Sequence, residues 1–209
     1  MDKKAVDGFL EIVRNTLCPY ASSAQVIFGP AWEAELPFED NIKNNAGSLS
    51  QFCHRAFANR LHGFAMEIIA GEKATQFEAV KHLFYSALKE LNKHDPDLSN
   101  CMSADYTQIG WQFEFGGIRL FVNVFAPCYP ERHTKYSYSK ERMFIFFQPV
   151  FSFDFCGINR TNKKAKEYIR QLFCSANRSY NGDLIDDRIE AFLYMFPMAT
   201  DDPPVRWWE

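Results

Sequence analysis

The chain has 209 residues, 47% hydrophobic and 16% aromatic with 21 Phe, a composition that builds a core and excludes the disordered class. A net charge of −3 excludes the broad electropositive surface that nucleic-acid binding needs. Its six cysteines, at 18, 53, 101, 128, 156 and 174, lie far apart with no CxxC pair, no secretory leader precedes them, and no apolar run reaches the ~18 residues of a bilayer span, so the expectation is a soluble, cytoplasmic protein with reduced thiols.

Ala5 to Thr16 places Val6, Phe9, Leu10 and Val13 at helical spacing and stops before Cys18-Pro19, where the residue before proline disfavours helix. Between Gly29 and Gly47, two prolines, an acidic cluster and Asn44-Asn45 predict irregular structure, and Ser48 then caps a helix running to Leu61. GFAMEIIAG, ending at Gly71, reads as a strand. Thr75 opens a strongly amphipathic helix with Glu78 completing a capping box, and Phe77, Val80, Phe84, Ala87, Leu88 and Leu91 form its stripe. Phe113 and Phe115 alternate with polar residues after Trp111, Gly116-Gly117 turns the chain, and Ile118 to Phe125 returns as the second strand of a hairpin. Met143 to Phe147 is a central strand buried on both faces. Thr161 to Cys174 and Leu184 to Phe196 close the chain as helices, and TDDPPVRWWE is a proline-stiffened end. The sum is one α+β domain over 1–209 with a small, mainly antiparallel sheet flanked by helices.

Candidate chemistry gathers in the polar loop between the last two strands. His133 is flanked by Glu131, Arg132 and Lys135, the pattern of a solvent-exposed turn, yet Tyr129, Tyr136 and Tyr138 surround it, a setting in which a planar cofactor lies against rings while a neutral imidazole ligates its iron. Cys156 in DFCGIN is the rival soft ligand or, equally, part of a turn. Cys18-Pro19-Tyr20 reads as a cavity wall or as a buried thiol with a helix stop. Cys53-His54 could pair as a dyad, but adjacent helical residues point in different directions, and His62 is placed to cap helix carbonyls. No histidine spacing fits a structural zinc site, and no Ser-His-Asp signature is present.

CPYA from Cys18, LSQFC from Leu49, GFAMEI from Gly63, WQFEFGGIRLFVNVF from Trp111, YPERH ending at His133, FFQPVFSFD and IRQLFCSANRSY from Ile169 together resemble the YqcI/YcgG family, also described by an FPC/CPF motif. Characterised relatives include haem-dependent enzymes that hydroxylate a guanidine nitrogen of arginine-like amino acids. The resemblance implies a small monooxygenase holding haem b, a nitrogenous small-molecule substrate and an external electron donor; a haem- or small-ligand-binding protein without turnover is the other reading. It implies His133 as the axial ligand, with Cys156 as the alternative. Arg132 or Arg170 would meet a propionate or substrate carboxylate, and Cys18, Tyr20, Trp111 and Phe113 would line the cavity. Many relatives read LHP where this chain has Phe125-Ala126-Pro127, and NPHxQF where it has the FQPVFSF stretch, so two histidines that they offer are absent here. The oligomeric state is left open.

Overall fold

The computed structural model describes residues 3–158, 163–178 and 188–209. Helix α1 (Lys3–Asn15) leads to strand β1 (Val26–Phe28), helix α2 (Phe38–Ala56), strand β2 (Gly63–Ile69) and helix α3 (Phe77–Lys93). Strands β3 (Phe113–Phe115), β4 (Ile118–Phe125) and β5 (Arg142–Pro149) follow, then the short helix α4 (Ser152–Phe155) and helix α5 (Lys163–Ser175). One five-stranded sheet has the order β1-β2-β5-β4-β3, with β1 parallel to β2 and the other pairs antiparallel. The mainly antiparallel α+β fold is therefore as the sequence predicts.

Strand register sorts the side chains. Residues directly opposite share a face, so Phe64, Phe147 and Val122 stand together, as do Met66, Ile145 and Val124. These residues are buried with Ile42, Leu49 and Phe52 of α2 and Val80, Phe84 and Leu88 of α3 in the main core. The opposite face carries Phe125, Phe144 and Phe146, which meet Phe9 of α1 at ring separations of 6.2, 5.8 and 5.3 Å. Burial on both sides explains why the β5 sequence is almost continuously apolar.

The hairpin forms as predicted: Gly116 and Gly117 both take positive φ, 58° and 71°, the backbone that a tight two-residue turn between twisted strands demands. Three boundaries differ from expectation. Helix α2 starts ten residues before Ser48, because Pro37 takes the N-cap position and the acidic cluster, Glu39 and Asp40, occupies the first turn, where the helix dipole favours negative charge. Asn41 and Asn45 in this helix are buried supports: Asn41 exchanges two hydrogen bonds with the Glu33 backbone (2.8 and 2.9 Å), and Asn45 donates to Asn41 O at 3.0 Å. Thr75 does not cap α3; its hydroxyl donates to Glu72 O at 2.8 Å inside the preceding 3-10 turn, and extended Gln76 begins the helix instead.

The last predicted helix is replaced, in its described part, by a 3-10 turn at Glu190–Leu193, since Phe196 precedes Pro197 and cannot readily stay helical; residues 184–187 lie outside the described part. The stretch read as a stiff end also belongs to the core. Trp207 is buried, packs on Phe84 at 5.1 Å and donates its indole N–H to Ala191 O at 2.7 Å. No described helix is long and apolar enough to cross a membrane.

Candidate functional site

The loop between β4 and β5 is built inward. A bridge between Ala126 and Tyr136 and the bond from Ala126 N to Lys135 O fold its middle back on β4. His133, expected at the surface or on an iron, is 1% exposed and stacks on Tyr129 with ring centroids 4.3 Å apart and planes 9° apart. Its Nδ1 accepts from Lys135 N at 3.0 Å, and its Nε2, 3.1 Å from Pro197 O, must then donate to that carbonyl. A neutral imidazole has one lone pair, and here a backbone N–H takes it. The ring therefore does not fit the role of axial ligand in this arrangement. Burial, then the neighbouring Lys135, pushes the His133 pKa down to about 4, against a smaller opposing pull from the Pro197 carbonyl. It is neutral near pH 7.

The other expected lining residues do not gather around it. Arg132 is exposed on the loop turn, and Arg170 is half-buried on α5. Trp111 packs against Tyr106, Tyr194 and Trp207 and donates to Cys101 O at 3.0 Å, while Phe113 sits in the main core against Phe147. Cys18 and Tyr20 are half-buried beside the 3-10 turn Ala21–Ser23. Burial raises the Cys18 thiol, offset in part by the backbone N–H groups of Tyr20 and Ala21. Burial raises the Cys156 thiol too, with Cys18 adding to the shift and Arg60 opposing it. All six cysteines are free, and the described residues contain no cluster of three or more His, Cys, Asp or Glu that could hold a metal. His62 caps no helix: its Nδ1 accepts from Gln25 N at 3.0 Å, fastening the approach to β1.

Two clefts flank the Gly116-Gly117 turn. One cleft of about 480 Å³ is lined by Asp97, Ser99, Glu114, Arg119, Val150 and Phe151, among others. A second, of about 500 Å³, is lined by Gln51, His54 and Arg55 of α2, with Asp97 again on the wall. Asp95 fixes the shape between them. Its carboxylate is buried and accepts from Gly116 N at 2.8 Å, Ser99 N at 2.9 Å and Asp97 N at 3.2 Å. Burial alone would raise the Asp95 pKa, but the hydrogen bonds from Ser99, Gly116 and Asp97 outweigh it and hold it below the ordinary value. Gly117 has its Cα against Asp97, so an added Cβ would lie 3.2 Å from the Asp97 carboxylate. Asp95→Ala is expected to strand these backbone donors, each worth about 1–3 kcal/mol when left buried and unpaired. Urea unfolding checks this: the midpoint falls clearly, while Asp95→Asn, which keeps an acceptor oxygen, falls less.

Within the first cleft, Glu114 Oε1 receives Arg119 Nε at 2.9 Å, so both signs of charge stand on one wall. Across from them, Phe151 stacks edgewise on Phe57 at 5.4 Å and tilts on Phe155 at 5.8 Å, and Phe57 is 70% exposed. The cleft thus brings together carboxylates, a guanidinium and an aromatic wall.

The YqcI/YcgG family profile matches residues 23–192, four fifths of the chain. The chain belongs to the YqcI/YcgG family. No curated protein and no solved structure matches it. The matched region begins after Cys18-Pro19-Tyr20. Val150, in the FQPVFSF stretch, lines the first cleft. Sequence reasoning passed over Asp97, Ser99, Glu114 and Arg119. The signal that could have found them is local: a charged pair on adjacent strands of a Gly-Gly hairpin, with an Asp-Pro-Asp turn at the end of the preceding helix.

Proposed function

We propose that this YqcI/YcgG protein binds a small nitrogenous amino acid, of the guanidine-bearing kind, in the cleft beside the β3–β4 turn, without iron on His133. The observation that carries this reading is the charge arrangement of the cleft: Asp97 and Glu114 offer carboxylates to a guanidinium, Arg119 offers a planar fork to the ligand's carboxylate, and Phe151 supplies an apolar wall.

Haem-dependent N-hydroxylation of such a ligand is the chemistry that the family resemblance implies, with haem b activating oxygen and an external donor supplying electrons. The histidines that the resemblance points to do not fit haem: the His133 lone pair is engaged by the Lys135 N–H, and the two histidines that relatives carry in LHP and NPHxQF are absent. Binding is therefore the reading favoured here, and no step is assigned to iron.

Calorimetric titration with L-arginine tests it. Binding to the wild type is expected, weakened at least tenfold by Asp97→Asn and by Phe151→Ala, with folding of each variant confirmed by its unfolding transition. Equal affinity in the wild type and both variants would overturn the assignment of the cleft. A separate hemin titration is expected to give no imidazole-type Soret band; such a band, lost in His133→Ala, would restore the haem reading.

A further inference from the structure

The two clefts beside the hairpin turn share a wall, and Asp97 stands on it, lining both. Gly117 lines the first cleft and Gly116 the second, so the ridge between them is bare backbone with no side chain rising from the turn. Its neighbours are close on either side: a Cβ on Gly116 would lie 2.9 Å from the Cys53 Cβ of α2, and one on Gly117 would lie 3.2 Å from an Asp97 carboxylate oxygen. A ligand seated in the first cleft with its cationic end toward Asp97 therefore meets an open way into the second.

The second cleft, about 500 Å³, matches the first in size and lies on the scale of a small-ligand pocket, roughly 300–1,000 Å³. Its far wall is the C-terminal part of α2, with Ser50, Gln51, His54 and Arg55. Arg55 has binding capacity to spare. Its Nε donates to Gln51 O at 3.2 Å, one turn back on its own helix, and among the described residues no carboxylate pairs with it. The two terminal nitrogens of the guanidinium are left for a planar acceptor. Asp97 is the matching case of opposite sign. Its backbone N–H donates to Asp95, yet among the described residues its carboxylate takes part in no hydrogen bond or ion pair. From the first cleft to the second, the fixed charges thus run from the Arg119 cation through the Asp97 anion to the Arg55 cation.

Resting on the binding of a guanidine-bearing amino acid in the first cleft, we propose that the ligand is longer than free arginine: its guanidine carries an arm that crosses the glycine ridge and ends in a second carboxylate, held by Arg55. The substrate class is an N-substituted guanidino acid with a carboxylate at each end. Its cationic centre lies at Asp97, which both clefts share, and each carboxylate meets one arginine fork, Arg119 or Arg55. Free arginine occupies the first half alone and leaves Arg55 to solvent. The plainer role of Arg55, a positive charge at the negative end of the α2 dipole, acts on stability and not on the choice between ligands.

Calorimetric titration with three probes separates the two roles: L-arginine, Nω-carboxymethyl-L-arginine, and Nω-ethyl-L-arginine, whose arm carries no charge. In the wild type the carboxymethyl compound is expected to bind about fivefold more tightly than either of the others, the scale of a charge pair at an open surface. In Arg55→Gln that advantage is expected to vanish, with folding confirmed by the unfolding transition. Equal affinity for the charged and uncharged arms in the wild type, or an advantage that survives in Arg55→Gln, overturns the inference and leaves the binding of L-arginine in the first cleft standing. Failure of all three probes to bind overturns that underlying reading, and this inference with it. If Arg55→Gln does not fold, the wild-type comparison of charged and uncharged arms still decides.

Discussion

Phe147→Ala is expected to lower the denaturant midpoint more than any other single truncation in the sheet. Phe147 is fully buried, lies opposite Phe64 on β2 and Val122 on β4, and meets the rings of Phe64 and Phe113 at 6.4 and 5.9 Å. Removing it opens a cavity between three strands and helix α2, whose Phe52 packs on Phe64 at 5.8 Å. Fixed strand positions limit collapse around the gap, so the cost is about 3–5 kcal/mol, a large share of the ~5–15 kcal/mol that holds a domain together. Equilibrium unfolding in urea measures it. A near-wild-type midpoint would mean that β5 does not sit at the centre of the sheet.

His133→Ala is expected to destabilise the fold by a different route. The substitution strands Pro197 O and Lys135 N and empties the space against Tyr129, and each orphaned buried group costs about 1–3 kcal/mol. The pH dependence separates this role from mere packing. The folded state holds His133 near 4 while the unfolded chain returns it to the ordinary 6.5, so the unfolded state binds the extra proton first. Its contribution is complete above 6.5 and is lost as pH falls from there to about 4. Wild-type stability should thus rise across that window, and His133→Gln, whose amide keeps a donor and an acceptor but does not titrate, should lose that part of the slope. Equal slopes in the two proteins would mean that the fold does not hold His133 neutral.

What was legible in the sequence is what short-range physics writes. Phe77 to Leu91 repeats at helical spacing, the Gly116-Gly117 pair turns a hairpin, and MFIFF reads as a strand covered on both faces. The site was less legible because its partners are distant. His133 meets Pro197 across 64 residues, and no local pattern announces that a polar loop rich in charge will fold inward and hold another segment. Glu131 and Arg132 do face solvent, as their neighbourhood predicts; His133 and Lys135 do not, because the turns at Pro130–His133 and His133–Tyr136 reverse the chain between them. The same holds for Trp207, whose indole finds Ala191 only once the chain has folded back over α3. At the start of α2, the helix-start signal is present in Pro37, Glu39 and Asp40 but is outweighed by the turn-forming look of Asn44-Asn45.

The loop that carries YPERH is long because it reaches across to clasp the 188–198 segment, and the ligand is assigned instead to the cleft at the hairpin turn. Titrating ¹⁵N-labelled protein with L-arginine and following backbone amide shifts tests that division most directly. The account predicts that saturable changes gather at Asp97, Ser99, Glu114, Gly117, Arg119 and Phe151, with Tyr129 to Ser137 unmoved. Changes that gather on Tyr129 to Ser137 instead, with the hairpin turn silent, would contradict it.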